Sequence, residues 1–256
     1  MTKYRGVNKV SLDTFNTGTT PSTTTWTNLT GADVSITSGQ LDILDRLQTS
    51  GGADPGIASK ATTYDVSTTK IMAWKWRTPS GGHTSSTELD FFVEDSAGRY
   101  AGLAIWTTSS SAAMGSKATL YGGGGSGGTA LTMSNLDFTG MDTALVDSTW
   151  VGIGFMFGGK LRCFISTDDG ATWSLMASNP YTGTPPSAGS VTMITYHTVS
   201  SDTAQWHSRT DEIAQFSLRT AKVRVGGAWV DATTKVRVGG AWQLALPKRR
   251  VGGSWV

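Results

Sequence analysis

The chain has 256 residues and a net charge of +2, and charged residues make up only 16% of it, against an ordinary share of about 25%. Helix-favouring runs are sparse and Gly, Ser and Thr abundant, which excludes a helical bundle, and a single cysteine excludes an intrachain disulfide framework. No segment approaches the ~20 apolar residues of a membrane-crossing helix, so no membrane insertion is expected. Residues 1–10 read as a short basic N-terminal arm without the apolar run of a secretion signal, so synthesis in a cytosol is expected. Across residues 11–219, strand-sized segments alternate with turn signals, the pattern of an antiparallel β-sandwich. Residues 91–106 read as a hairpin turning at 95–98. Gly122, Gly124 and Gly127 formally match a dinucleotide fingerprint, but the segment that follows looks like a strand and not a phosphate-binding helix. A flexible loop is expected there, and no cofactor. In residues 150–157, Val151, Ile153, Phe155 and Phe157 alternate with small residues, and turns at Gly158-Gly159 and Asp168-Asp169-Gly170 complete a three-stranded meander. Cys163 lies in a strand-like run and reads as a core residue.

Residues 220–256 hold the sharpest pattern. Lys222-Val-Arg-Val-Gly-Gly-Ala-Trp229 recurs as Lys235-Val-Arg-Val-Gly-Gly-Ala-Trp242 and as Lys248-Arg-Arg-Val-Gly-Gly-Ser-Trp255, with a period of 13 residues. If each Gly-Gly is a two-residue hairpin loop, Val225 pairs with Ala228, Arg224 with Trp229 and Val223 with Val230. By the same arithmetic Arg237 pairs with Trp242, and Arg250 with Trp255, so that guanidinium can lie over indole. Residues 222–256 carry seven basic residues against Asp231 alone, a net of +6, which leaves −4 for the rest of the chain. A lone hairpin is at best marginally stable in water, so these units are expected to find cover on a neighbouring surface and to serve assembly.

Chemistry is scarcer. Glu88, Asp90 and Glu94 share one face of an unbulged strand. Laminarinase-like sandwich glycosidases carry Glu-x-Asp-x-Glu or Glu-x-Asp-x-x-Glu, and this segment has one residue more than the longer form. The expectation is therefore that Glu88 and Glu94 are not catalytic, and that the chain is not an enzyme. Residues 166–173, Ser-Thr-Asp-Asp-Gly-Ala-Thr-Trp, match the Asp-box of sialidases and other β-proteins, in which Asp caps a hairpin turn and Trp packs beneath it. Asp168, Gly170 and Trp173 are read as such a structural turn. His83, His197 and His207 are scattered, and no metal site is expected. Trp74, Trp76 and Trp106 are candidate sugar-stacking aromatics, with burial in the sandwich core as the alternative for each.

Residues 88–99 and 150–155, within 15–216, resemble concanavalin A-like (laminin G-like) jelly rolls. The Val-Arg-Val-Gly-Gly-Ala-Trp units resemble those that end minor tail proteins of tailed phages infecting actinobacteria. Together the resemblances imply an all-β chain, an antiparallel sandwich of jelly-roll type followed by short β-hairpin repeats. They imply a virion structural protein at the tail or particle surface, a homo-oligomer whose partners are copies of itself and other virion proteins. Host-surface glycan is a further implied partner; nucleic acid is not expected. A capsid decoration or head fibre, and a glycan-degrading enzyme of the sandwich glycosidase type, are the alternatives.

Overall fold

The computed structural model describes residues 3–29, 33–45, 55–66, 69–81, 87–106, 117–124, 135–137, 145–155, 160–180, 184–197, 206–219, 221–225, 228–232, 235–238, 241–244, 250–251 and 254–255. Among these the chain is all-β. The body contains β1 (Lys3–Asp13), β2 (Trp26–Asn28), β3 (Val34–Thr37), β4 (Gln40–Asp45), β5 (Gly56–Ser59), β6 (Lys70–Gly81), β7 (Thr87–Glu94) and β8 (Arg99–Trp106). It continues with β9 (Lys117–Gly124), β10 (Asn135–Asp137), β11 (Trp150–Gly154), β12 (Lys160–Ser166), β13 (Thr172–Pro180), β14 (Ser190–His197) and β15 (Trp206–Arg219). One sheet runs β1-β13-β12-β11-β6-β15-β4-β3 and the other β10-β9-β8-β7-β14-β5-β2, with every pairing antiparallel. No helix among the described residues is long and apolar enough to cross a membrane.

The sandwich core follows from alternation along each strand. In β6, Met72, Trp74 and Trp76 face the second sheet, and in β7, Leu89, Phe91 and Val93 face the first. Trp74 and Phe91 meet across the core with ring centroids 4.4 Å apart. Val151, Ile153 and Phe155 join this core, while Gly152 and Gly154 turn toward Ile71 of the neighbouring strand. Cys163 is fully buried here, and burial pushes its thiol far above the ordinary range, so it packs as a hydrophobe.

The N-terminus, expected as a short basic arm over residues 1–10, is part of the first sheet. Lys3–Asp13 is β1, which pairs through Lys3 to Arg5 with β13 and through Arg5 to Asp13 with β15. Because β13, β12, β11, β6 and β15 are already joined in that order, β1 closes six strands of the first sheet into a ring. The ring encloses a second core on the outward side of that sheet, containing Tyr4, Ile71, Ala73, Trp150, Phe164, Trp173, Ala214, Phe216 and Leu218. Phe216 stacks edge-on against both Trp150 and Trp173, with centroids 4.8 Å apart in each pair. Lys9 and Lys75 lie 5.1 and 5.7 Å from the Trp150 ring centroid, which closes the mouth of the ring with two cations.

The turn at 166–173 abuts this ring. Asp168 accepts hydrogen bonds from the Ser166 hydroxyl and from the Thr172 N–H and hydroxyl, and Gly170 N–H donates to Ser166 Oγ. The buried Trp173 donates its indole N–H to the Gly170 carbonyl at 3.0 Å. Gly170 has φ +86° and faces the Phe216 ring so closely that a Cβ would sit 2.3 Å from it, which makes glycine obligatory there.

The terminal repeats form three two-stranded hairpins: β16 (Ala221–Val225) with β17 (Ala228–Ala232), β18 (Lys235–Val238) with β19 (Ala241–Leu244), and β20 (Arg250–Val251) with β21 (Ser254–Trp255). The register pairs Arg224 with Trp229, Arg237 with Trp242 and Arg250 with Trp255. The three Gly-Gly loops, and the side chains that would stack, lie outside the described residues.

Candidate functional site

Strand alternation that sends Leu89, Phe91 and Val93 into the core sends Glu88, Asp90, Phe92 and Glu94 outward from the second sheet. Register then builds a grid on that side from β14, β7, β8 and β9. Its rows are Tyr196–Glu88–Trp106–Lys117, Ile194–Asp90–Ala104–Thr119, Thr192–Phe92–Gly102–Tyr121 and Ser190–Glu94–Tyr100–Gly123. Rows are spaced by about 6.6 Å and strands by about 4.8 Å.

At one end of the grid lies a cavity of about 290 Å³ lined by Asp90, Phe92, Glu94, Gly98, Tyr100 and Tyr121. Its floor is aromatic. Phe92, Tyr100 and Tyr121 form a triangle with centroid separations of 6.5, 6.4 and 6.0 Å, and all three rings are partly exposed. Gly102, at the centre, makes this arrangement possible. A Cβ there would stand 2.6 Å from Phe92 Cβ and 2.6 Å from the Tyr121 ring, so the rings lean over a strand position that has no side chain. Partly exposed rings laid over a sheet suit an apolar sugar face, and carboxylates at the edge suit its hydroxyls.

The cavity's rim is held by Asp95. This buried carboxylate accepts from the N–H groups of Ala97 and Arg99, the Arg99 guanidinium, and the N–H and hydroxyl of Ser187. Burial alone would raise its pKa, but the Arg99 guanidinium and the Ser187, Arg99 and Ala97 N–H groups outweigh it and hold the carboxyl well below the usual range. The hub ties the turn that follows Glu94 to the segment before β14, and so fixes Gly98 and Tyr100.

The expected stacking residues are not those of the cavity. Trp74 and Trp76 are fully buried in the sandwich core and offer no face to a ligand, because both sit on the inward phase of β6. Trp106 holds the register position between Glu88 and Lys117, and its side chain lies outside the described residues. Phe92 was legible as outward from the alternation around Glu88 and Asp90. Tyr100 follows from the hairpin turn, but Tyr121 had no local signal, since it reaches the site only through β8–β9 pairing. Gly122 to Gly124, expected in a loop, are the end of β9, while 125–128 lie outside the described residues.

Glu88 and Glu94 share a face but are separated by about 20 Å of straight strand, since β7 pairs with both neighbours without a bulge. That is beyond the roughly 5–9.5 Å at which two carboxyls cleave one glycosidic bond. Glu88 and Asp90, one row apart, are within that reach. His207 Nδ1 lies 2.8 Å from the buried Asp42; His197 has only its strand position described, and His83 lies outside the described residues.

No family model matches the chain, and no curated protein matches it. Among solved structures, a prokaryotic β-1,3-1,4-glucanase (lichenase) derived from a mouse hindgut metagenome superposes with a TM-score of 0.53 at 9% identity, covering 85% of this chain and 99% of that one. The CBM2 module of Lactobacillus casei BL23 phage J-1 evolved Dit gives 0.51 at 12% identity, covering 86% and 98%. The carbohydrate recognition domain of Emp47p gives 0.50 at 13%, covering 84% and 94%. The fold is thus a jelly-roll sandwich of the kind found in glycan-active and carbohydrate-recognising proteins. The expectation that the chain is not an enzyme is overturned by the lichenase likeness: the spacing of Glu88 and Glu94 bears on that pair alone, and the fold is one that a glucanase shares over 99% of its length.

Proposed function

We propose that the chain is a virion protein of a bacteriophage, a minor tail protein, whose jelly roll binds host-surface glycan on the outward side of the second sheet. The observation that supports it most is the cavity beside Asp90 and Glu94, floored by Phe92, Tyr100 and Tyr121, in a fold shared with a phage Dit module. The three terminal hairpins join the protein to copies of itself and to other virion proteins. Their +6 charge complements the −4 of the rest of the chain, and many copies on one particle turn weak sites into high avidity. Isothermal titration against oligosaccharides prepared from the host envelope tests the binding. Saturable binding abolished by Tyr121→Ala, with an unchanged fold, supports it; no binding to any host glycan refutes it. Electron microscopy of virions labelled with antibody to this chain tests the location, and label on the capsid instead of the tail refutes a tail protein. Light scattering of a chain lacking 222–256 tests the hairpins, and undiminished oligomerisation refutes their role in assembly.

A second reading is favoured by the placement of Glu88 and Asp90 on the same outward face. In glycan cleavage, one carboxyl would protonate the departing glycosidic oxygen while the other, as carboxylate, took a proton from the attacking water. Released reducing ends that vanish in Glu88→Gln establish this reading; their absence with every polysaccharide that binds removes it.

A further inference from the structure

The charge of the grid sets what kind of glycan fits. Of its sixteen positions three are acidic, Glu88, Asp90 and Glu94, and one is basic, Lys117. Lys117 occupies a corner of the grid outside the cavity's lining, one row from Asp90, two from Tyr121 and three from Glu94 and Tyr100. Arg99 lies at the rim, but its guanidinium is 2.6 Å from the buried Asp95 carboxylate and is neutralised there. The cavity's lining holds the exposed carboxylate of Glu94 beside an apolar floor, with the half-buried Asp90 next to it, and contains no cation to receive an anion.

We infer that this site selects glycans without acidic groups, prefers those bearing a free amine, and rejects uronic-acid or phosphate-bearing chains. The inference rests on the glycan-binding reading above and deepens it. An acidic sugar seated on Tyr100 and Tyr121 would bring its carboxylate against Glu94, where like charges repel across a partly desolvated surface. A neutral pyranose meets the same rings and offers hydroxyl donors to carboxylate oxygens that only accept. A protonated amine on the sugar turns the edge hydrogen bond into a charge-assisted one. Gly102 matters here too, since it lets the Tyr121 ring lie close to the strand, so that a bound ring rests within reach of Asp90 and Glu94 on the same strand face.

The test uses the full chain and three oligosaccharide probes of equal length at low salt: a glucosamine oligomer, an N-acetylglucosamine oligomer and a galacturonic acid oligomer. The glucosamine probe is expected to bind roughly tenfold more tightly than the neutral one, and the uronic probe at least about tenfold more weakly. In Glu94→Gln, whose side chain is exposed and whose fold is checked by its melting transition, the preference for the amine should shrink and the penalty on the acid should relax. Physiological salt should compress both differences. If the uronic probe binds as well as the neutral one, or if Glu94→Gln leaves the ranking unchanged, the charge selection is wrong while glycan binding stands. If none of the probes, nor any host oligosaccharide, binds, both readings fall together.

Discussion

The outward sides of the two sheets each carry a cluster of large aromatic rings, and the two clusters have opposite fates. On the first sheet Trp150, Trp173 and Phe216 are 0%, 0% and 3% exposed, because β1 crosses from β13 to β15 and closes the strands around them. On the second sheet Phe92 packs edge to face against both Tyr100 and Tyr121, which tilt against each other, yet all three rings remain partly exposed beside a cavity. Aromatic content on a sheet face therefore does not separate a core from a binding platform. What separates them here is whether another strand of the chain covers the rings.

That contrast can be broken from either side. The largest effect is expected from Trp150→Ala, which would leave a cavity in the ring of strands and remove the seat of Lys9 and Lys75. A loss of about 3–5 kcal/mol in denaturant unfolding is expected, with glycan affinity per folded molecule unchanged. A cost below about 1 kcal/mol would mean that the first sheet's outward side is no core at all.

Acid should act next, and mainly through the turns at the sandwich ends. Among the described residues four carboxyls are held below their ordinary value: Asp95 by the hub described above, Asp169 by the Trp150 indole N–H and Lys75, Asp147 by the Thr78 N–H, and Asp168, against the opposing effect of burial, by Thr172 and Ser166. A depressed pKa means stability that is complete above the unfolded value of 3.8 and is lost as pH falls through the folded one. Melting temperature should therefore be flat near neutrality and fall steeply only below about pH 4. Asp95→Asn should flatten that acid limb, and an unchanged limb would show that the hub contributes nothing to it.

Asp168→Ala sharpens the comparison at smaller cost. Losing the cap on the turn that braces the closed ring should lower stability by about 0.5–2 kcal/mol, read as a shifted melting transition, and leave binding untouched. The smallest stability effect is expected from Tyr121→Ala on the open side. Unfolding should change by less than about 1 kcal/mol, while glycan binding disappears. If this variant instead destabilises the protein as Trp150→Ala does, the two faces are not different in kind.

Much of the local structure was legible in the residues. The hairpin turning at Asp95 to Gly98, the meander through Gly154 and Gly170, and the Arg-to-Trp register of the terminal repeats follow from period-two alternation and turn chemistry, which act over a few residues. The common face of Glu88, Asp90 and Glu94 was legible for the same reason. Trp74 and Trp76 could be read either as core or as stacking residues, and the structure puts them in the core, because alternation says that two residues share a side of a strand and not which side the rest of the chain will cover.

Sequence alone determined that the chain is all-β, where its turns fall and which residues share a strand face, since these depend on neighbours within a few positions. Only the tertiary structure decided that residues 3–13 close a ring, because that strand's partners lie about 170 and 210 residues away, as in Tyr4 with Trp173 and Arg5 with Arg219. It also decided that Phe92, Tyr100 and Tyr121 meet over Gly102. Their meeting depends on β8–β9 pairing between strands whose connection carries no turn signal strong enough to set the register. Long-range pairing is fixed by the total area that two sheets bury together, a quantity that no short stretch of sequence contains.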